Sequence, residues 1–498
     1  MTAAALVALF GLAAAWVASL VRWVRVAQRE HYLGGAVGRF AVRWWTSSFM
    51  NAAGWIAALG GTAASFVEPL WALLPAAVFA LGPVGMGLRG RTSRLAWTPR
   101  VRRVAGTMVV LEVALVTLAR ASVPLVAVEL VALPVIVDVA LWVLEPLERR
   151  LSRRFVEQAA GRLRVVAPKI VAITGSYGKT TTKGYVGHLL RRTADVVVSP
   201  ASFNNRLGLA RSINEQVASG TQVFVAEMGT YGPGEIRDMC SWIPPTVAVI
   251  TAIGPVHLER FGSLEAVAAA KAEIVDGAET LVLNVDYPSL EALADGERPR
   301  RTVIRCSTAN SDVDVHVDVE GIVFVHGKAI GSVPDLDLFP GNVACAVGVA
   351  LALGVTPDEA DLSSLARPPH RLQMVTTDAG VVVIDDTYNS NPAGARAALA
   401  ALARRGSGRR VVVTPGMIEL GPRQYEENST FAAKVAEIAT DLVIVGRTNR
   451  RALLEGAARG LVSVNVMASR DEAVEWVRSM LGAGDVVVYE NDLPDHYP

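Results

Sequence analysis

The chain has 498 residues, 51% of them hydrophobic, with a mean hydropathy of +0.35 and a formal net charge of +1. Its length allows about three domains of ~150 residues each. The near-zero net charge conceals an asymmetry, because arginines crowd the first third while the later chain is mildly acidic. Those basic stretches flank apolar runs, which makes them orienting signals at a membrane and argues against a nucleic-acid partner. Cys240, Cys306 and Cys345 are far apart in sequence and lack metal-ligand spacing, so they read as buried reduced thiols.

Residues 3–20 carry no charge and approach the ~20 residues needed to cross a bilayer. A cleaved signal peptide would want basic residues before the run, whereas Arg22 and Arg25 follow it. Further apolar runs occupy 49–67, 69–88, 104–119 and 121–144. Arg22, Arg25, Arg29, Arg39 and Arg43 fill the segment after the first run; Arg89, Arg91, Arg94, Arg100, Arg102 and Arg103 precede the fourth; Arg149, Arg150, Arg153, Arg154, Arg162 and Arg164 follow the last. The positive-inside rule places all three groups in the cytoplasm. The expectation is a membrane domain over 1–146 with about five spans and its N-terminus outside, then a juxtamembrane linker helix at 147–165. All later residues would face the cytosol at a bacterial-type inner membrane. Glu112, Glu129 and Asp138 fall in or beside spans, where carboxylates suit either a headgroup or ion site or a contact between helices.

From residue 166 short β-branched runs alternate with helical stretches, the pattern of parallel sheets covered by helices. KIVAIT, DVVVSP, TQVFVAEM, TVAVIT, TLVLNV and RTVIRC, with a hairpin-like stretch at 313–330, make one nucleotide-binding domain over 166–370. The pattern restarts with GVVVIDDTY, RRVVVTPGM, DLVIVG, VSVNVM and DVVVYEN, a smaller doubly wound domain over 371–498. The segment ITGSYGKTTTK places Gly175, Gly178, Lys179 and Thr180 where a strand turns into a helix. Two glycines let backbone N–H groups approach phosphate, the helix N-terminus favours the anion, and the ammonium and hydroxyl can serve the terminal phosphate and Mg²⁺. Ile173 stands where an ordinary P-loop has its first glycine, so kinases and GTPases fit less well than another ATP-dependent chemistry. Glu227 ends one strand, and His257 and Glu259 follow the next; a carboxylate and an imidazole at adjacent strand ends suit a Mg²⁺ site.

ITGSYGKTTTK, SFNNRLGL, AEMGTYGPGEI, GPVHLERFGSLEAVAAAKAEI, LNVDYP, IDDTYNSNP and GMIELG occur in the order and spacing of the Mur ligases, which the chain resembles over nearly all of 166–498. The likeness is strongest to the branch that adds D-alanyl-D-alanine to peptidoglycan precursors. After the helical transmembrane domain read from the apolar runs, it implies an α/β architecture of a central P-loop ATPase domain and a Rossmann-like C-terminal domain that closes over ATP. It also implies a nucleotide set of Gly175, Ser176, Tyr177, Gly178, Lys179, Thr180, Thr181, Asn284, Asp286, Arg371 and Asp386. The first Mg²⁺ falls to Thr180 and a second to Glu227 and His257. Lys271 matches the lysine that family members carbamylate, and Asn204, Asn205, Tyr388 and Asn389 line the substrate side. Lys179, Lys271, His257 and Arg371 form the implied catalytic group. The chemistry implied is an acyl phosphate made from a carboxylate and ATP, captured by an amino acid or dipeptide amine.

The chain departs from the family pattern where membrane spans replace the domain that holds the UDP end of the precursor. A lipid-linked or polymeric acceptor then becomes an expectation. Ala252 stands where the family has asparagine, and the histidine that often precedes Asn342 is missing. A poly-γ-glutamate type of synthase also joins a membrane anchor to such an ATPase, but IDDTYNSNP and GMIELG fit the peptide ligases better. A silent scaffold would have no need of Lys179, Glu227, His257, Lys271 and Arg371 together.

Overall fold

The computed structural model describes residues 2–90, 94–200, 203–334, 338–366, 372–387, 390–405, 408–493 and 497. They divide into two compact units, one of Met1–Leu151 with Leu493–Pro498 and one of Ser152–Asp492.

The first unit is helical: α1 (Ala3–Arg29), α2 (Ala36–Trp45), α3 (Phe49–Ala64), α4 (Leu73–Leu81), α5 (Pro99–Leu118) and the start of α6 (Val123–Val166). By length and composition α1 and α6 are long and apolar enough to cross a membrane. The run at 69–88, expected as one span, instead makes a 3-10 turn at Pro69–Ala72 and the nine-residue α4, about 14 Å of helix. Gly82 ends α4 in an extended conformation. The segment expected as a basic connection holds α2, whose Val37, Phe40, Trp44 and Trp45 are buried; its period of 3–4 was masked by interleaved Arg39 and Arg43. Asp138 accepts from the backbone N–H of Val37 (3.2 Å) and Gly38 (2.8 Å), which seats the start of α2. Arg22, expected at the membrane surface, is buried. It donates from Nη1 to the Phe79 carbonyl (2.9 Å), from Nη2 to Ala80 (2.7 Å) and from Nε to Met86 (3.2 Å), satisfying carbonyls at and beyond the end of α4. The expected linker helix is not separate: α6 continues through Pro134 and Pro146 to Val166.

The second unit begins with the last part of α6, whose Val156, Ala159 and Leu163 share a core with Leu209, Ile213, Val217 and Phe224. Nine strands follow: β1 (Lys169–Thr174), β2 (Val196–Val198), β3 (Val223–Glu227), β4 (Val247–Ile250), β5 (Thr280–Asn284), β6 (Thr302–Ser307), β7 (Val315–Val317), β8 (Ile322–Val325) and β9 (Lys328–Ser332). They form one sheet in the order β2-β3-β1-β4-β5-β6-β7-β8-β9. Pairing is parallel from β2 to β7, and β8 and β9 add antiparallel. Side chains alternate between two cores, Ile170 and Ala172 on one face, Val171 and Ile173 on the other; a sheet covered on both sides explains the unbroken apolar runs.

A second sheet holds β10 (Gln373–Thr376), β11 (Val382–Asp386), β12 (Arg410–Thr414), β13 (Asp441–Val445), β14 (Ser463–Met467) and β15 (Val486–Glu490) in the order β10-β11-β15-β12-β13-β14. Only β10, antiparallel to β11 at the sheet edge, escaped the sequence reading; its QMVT is short and mostly exposed. Helices at 392–403, 424–438 and 450–457 share the core of one face, while Ala473 and Val477 of the helix Arg470–Met480 cover the other.

Candidate active site

The site is assembled from strand ends. β1 stops at Thr174, four residues turn, and the helix α7 (Lys179–Leu190) starts. Gly178 sits in the left-handed region at φ 79°, and a Cβ there would overlap Asn342 Oδ1; at Gly175 it would overlap Thr251 Oγ1. The loop is pinned by Ser176 Oγ, which donates to the Gly254 carbonyl (3.1 Å) and accepts from Gly254 N–H (2.9 Å), and by a hydrogen bond from the Thr251 hydroxyl to the Tyr177 carbonyl. Ser176 therefore serves the loop's shape. Lys179 Nζ donates to the Gly175 carbonyl at 2.7 Å, so the ammonium lies over the loop.

Glu227, the last residue of β3, is buried among donors. Its carboxylate accepts from Thr180 Oγ1 (2.9 Å) and Asn204 Nδ2 (3.2 Å) and pairs with Lys183 Nζ (2.9 Å), the Glu227 and Lys183 side chains being 2% and 5% exposed. Burial alone would raise its pKa, but the Lys183 and Lys179 ammoniums outweigh that and hold it below the ordinary carboxylate value. Lys183 was missed by the sequence reading, although its place one turn after Lys179 on α7 was the available signal. Lys271 is 3% exposed, and among the described residues its ammonium meets no carboxylate. Burial first, and then the Lys179 charge, push its pKa well below the usual lysine value.

Beside the loop lies a cavity of about 430 Å³ whose wall includes Tyr177, Gly178, Thr181, Asn284, Asp286, Asn342 and Asp386. Asn284 Nδ2 donates to the Thr251 carbonyl at 3.1 Å. The Asp286 carboxylate accepts from Thr308 N–H (3.0 Å) and Thr308 Oγ1 (2.7 Å) and from the Ser307 hydroxyl, fixing the turn after β6. Tyr177 Oη is buried, lacks a partner among the described residues, and has its pKa raised by that burial.

Two expected contacts are placed differently. Asn205 caps the helix Arg206–Gln216, its Oδ1 accepting from Gly208 N–H at 2.9 Å, and so acts locally. His257, at φ 54°, turns Nδ1 to the Glu419 carboxylate and its ring edge-on to Tyr231 at 4.9 Å. His257 and Glu227 thus have separate partners. The Glu419 carbonyl also accepts from Leu258 N–H at 3.1 Å, so the turn after β12 docks on the turn after β4. Arg371, Tyr388 and Asn389 lie outside the described residues. In the second sheet, Asp386, Glu490 and Thr414 are the last residues of three adjacent parallel strands. Glu490 is fully buried; desolvation, with Asp386 beside it, raises its pKa to about 7.

These features fit a Mg²⁺-bound nucleoside triphosphate. Two glycines leave room where any Cβ would collide, and Thr180 and Glu227 are hard oxygen donors side by side.

Residues 173–333 match the Mur ligase middle domain, and residues 370–489 match the Mur ligase, glutamate ligase domain. The UDP-N-acetylmuramoyl-tripeptide--D-alanyl-D-alanine ligase of Mycobacterium leprae is 32% identical over 366 residues, 64% of this chain and 70% of that protein. The ligase of the same name from Bacillus subtilis is 26% identical over 346 residues, 67% and 75% of the two chains. Among solved structures, MurF from Acinetobacter baumannii superposes with a TM-score of 0.61 at 26% identity, covering 68% of this chain and 77% of that one. MurF from Thermotoga maritima in complex with ADP gives 0.58 at 26% identity, covering 68% and 80%.

Proposed function

The chain belongs to the Mur ligase family, ATP-dependent enzymes that form amide bonds in cell-wall precursor synthesis, and from that premise we propose that it is a membrane-bound ligase joining D-alanyl-D-alanine, or a similar amine, to a muramoyl-peptide carboxylate. The observation that carries the reading is the placing of Lys179, Thr180 and Glu227 at the phosphate loop beside the cavity. Membrane attachment is supported by the apolar surface of the helical unit, where Phe10 (80% exposed), Phe49 (90%) and Leu118 (79%) face outward. α1 and α6 are among the spans we assign, an odd number of crossings in all, with the catalytic unit on the cytoplasmic side, where ATP is, and the N-terminus outside. The acceptor is then one carried at the membrane, on a lipid or a polymer, in keeping with the apolar outer surface of the helical unit.

In this mechanism the first-turn N–H groups of α7 and Lys179 hold the β- and γ-phosphates. Thr180 and Glu227 would hold the Mg²⁺ that accompanies ATP, which would supply charge neutralisation at the transferred phosphoryl group; His257, turned to Glu419, stands apart from them. The acceptor carboxylate attacks the γ-phosphorus, the bond to the bridging oxygen breaks as ADP leaves, and an acyl phosphate forms. The amine then attacks the acyl carbon and phosphate leaves. Lys271, buried without a counter-charge, gains from carbamylation, which exchanges its cation for an anion. Asn284, Asp286 and Asp386 take the nucleoside end, and Asn204 the substrate side through Glu227. Docking of the 419–421 turn on 257–259 excludes water from an intermediate that hydrolysis would waste.

The test uses the full chain in detergent micelles with ATP, UDP-N-acetylmuramoyl tripeptide or its lipid-linked form, and D-alanyl-D-alanine. Phosphate release should need acceptor and amine together, mass spectrometry should find the amide, and Lys179→Ala should abolish both. Phosphate release indifferent to Lys179→Ala would refute the assignment. A reporter fused after Arg150 that proved extracytoplasmic would refute the topology.

A further inference from the structure

The proposed ligase reaction leaves one proton without a destination. An amino acid amine arrives as an ammonium, which has no lone pair with which to attack an acyl phosphate. Some group near the second sheet, from which the amine would come, has to take that proton at neutral pH.

Ligands of open α/β sheets bind beyond the carboxyl ends of strands, where the winding changes face. In the second sheet β15 is entered from the helix Arg470–Met480 on one face, while β11 leads to the helix Pro392–Ala403 on the other. Asp386, Glu490 and Thr414 end the three strands at this point, and Asp386 and Glu490 are register partners. Asp386 lines the nucleotide cavity, as do Asn391, Ala393 and Gly394. Ser390, directly before Asn391, is only half-buried, and its hydroxyl donates to Glu490 Oε1, while the Thr414 hydroxyl donates to Oε2. Asn491, which follows Glu490 at φ 62°, ties the strand end to the Gly416 carbonyl through Nδ2 at 2.6 Å. The groups facing the Glu490 carboxylate are thus two hydroxyls and the Asp386 carboxylate; among the described residues no cation reaches it.

A carboxylate held wholly inside the protein with one hydroxyl leading outward is a poor structural choice and a good proton sink. We propose that Ser390 and Glu490 form a relay that takes the proton of the incoming amine. The ammonium N–H bond breaks as its proton passes to Ser390 Oγ, and the serine's own proton moves to Glu490. The freed lone pair forms the C–N bond, the acyl C–O bond to phosphate breaks, and the second amine proton leaves with the phosphate. Glu490 acts through Ser390 and does not touch the substrate. Burial beside Asp386 raises its affinity for the proton to match this task, with a pKa of about 7.

The relay rests on the ligase reading, and hydroxylamine separates the two. It is unprotonated at neutral pH and captures acyl phosphates as hydroxamates without a base. The full chain in detergent micelles is supplied with ATP, Mg²⁺ and both UDP-N-acetylmuramoyl tripeptide and its lipid-linked form in separate runs, and either hydroxylamine or D-alanyl-D-alanine. Wild type should use both, with kcat/KM for the dipeptide falling as pH drops through about 7. Glu490→Gln and Ser390→Ala should lose about 100-fold or more with the dipeptide and far less with hydroxylamine, and Glu490→Gln should lose the acid limb of the pH profile. Equal losses with both nucleophiles, or an unchanged dipeptide rate and pH profile, overturn the relay. A wild type that makes no hydroxamate sinks the ligase reading and the relay with it.

Discussion

Three glycines on or at the start of α7, changed to alanine one at a time, should give three different outcomes. Gly184 lies in the helix interior with open space where a Cβ would go. Alanine there should stabilise by about 0.5–1 kcal/mol, because glycine loses more backbone freedom on folding. Gly187 is also helical, but its Cβ would come within 2.7 Å of Val198 Cγ2; overpacking of about 1–3 kcal/mol cancels or exceeds the helical gain. Gly178 adds both penalties. Its left-handed backbone costs an L-residue about 1–2 kcal/mol, and the overlap with Asn342 moves a cavity wall, so about 2–5 kcal/mol in all is expected. Urea unfolding of the full chain, followed with and without ATP, reads the series. Gly178→Ala should shift the midpoint down and also lose most of the ATP-induced shift, because the phosphate cradle is deformed. If Gly178→Ala unfolds at or above the midpoint of Gly184→Ala, the reading of this loop as a strained, close-fitting cradle is wrong.

Lys183→Met leaves the Glu227 carboxylate buried with its main counter-charge gone; a loss of about 3–5 kcal/mol is expected, with much of it restored in Lys183→Met/Glu227→Gln, and a single-variant loss under ~1 kcal/mol would contradict the pairing. Glu490 keeps its proton in the folded state up to about 7 while the unfolded chain releases it at the ordinary carboxylate value. Stability should therefore fall as pH rises across that window, by about 3 kcal/mol, and Glu490→Gln should flatten the slope in urea titrations from pH 4 upward; an identical slope in the variant would refute it. Lys271→Met should be at least as stable as wild type at neutral pH, since it removes a buried amine, yet yield no amide product. A thermal midpoint well below wild type would show that Lys271 has a structural partner. Intact-protein mass measured with and without bicarbonate should show the added carboxyl group in wild type and not in Lys271→Met.

The sheet cores and the phosphate loop were legible in the sequence because both are written locally. Strands covered on both faces read as continuous apolar runs, and a glycine-bracketed turn between strand and helix has few other uses. Less legible were features decided by partners remote in sequence. Lys183 looks like a solvated helix residue until β3 delivers Glu227 beneath it. Arg22 looks like a membrane-surface charge until α4 ends against it. His257 keeps the company of Glu419, more than 150 residues on. Short elements were lost for another reason: α2 and β10 bury too few residues for their periodicity to rise above interleaved charges and polar groups.

The final turns of α6 bear on how this protein could be dissected. A soluble fragment begun at residue 166, where the strand pattern starts, would strip Val156, Ala159 and Leu163 from Leu209, Ile213 and Val217 and leave an oily trench along the helix Arg206–Gln216. It would also remove two fasteners, Arg162 Nη1 to the Val217 carbonyl at 2.8 Å and Asn214 Nδ2 to the Phe155 carbonyl at 3.0 Å. A fragment begun at Ser152 keeps all of these, and it is the one that should express as a monodisperse, crystallisable ATPase core.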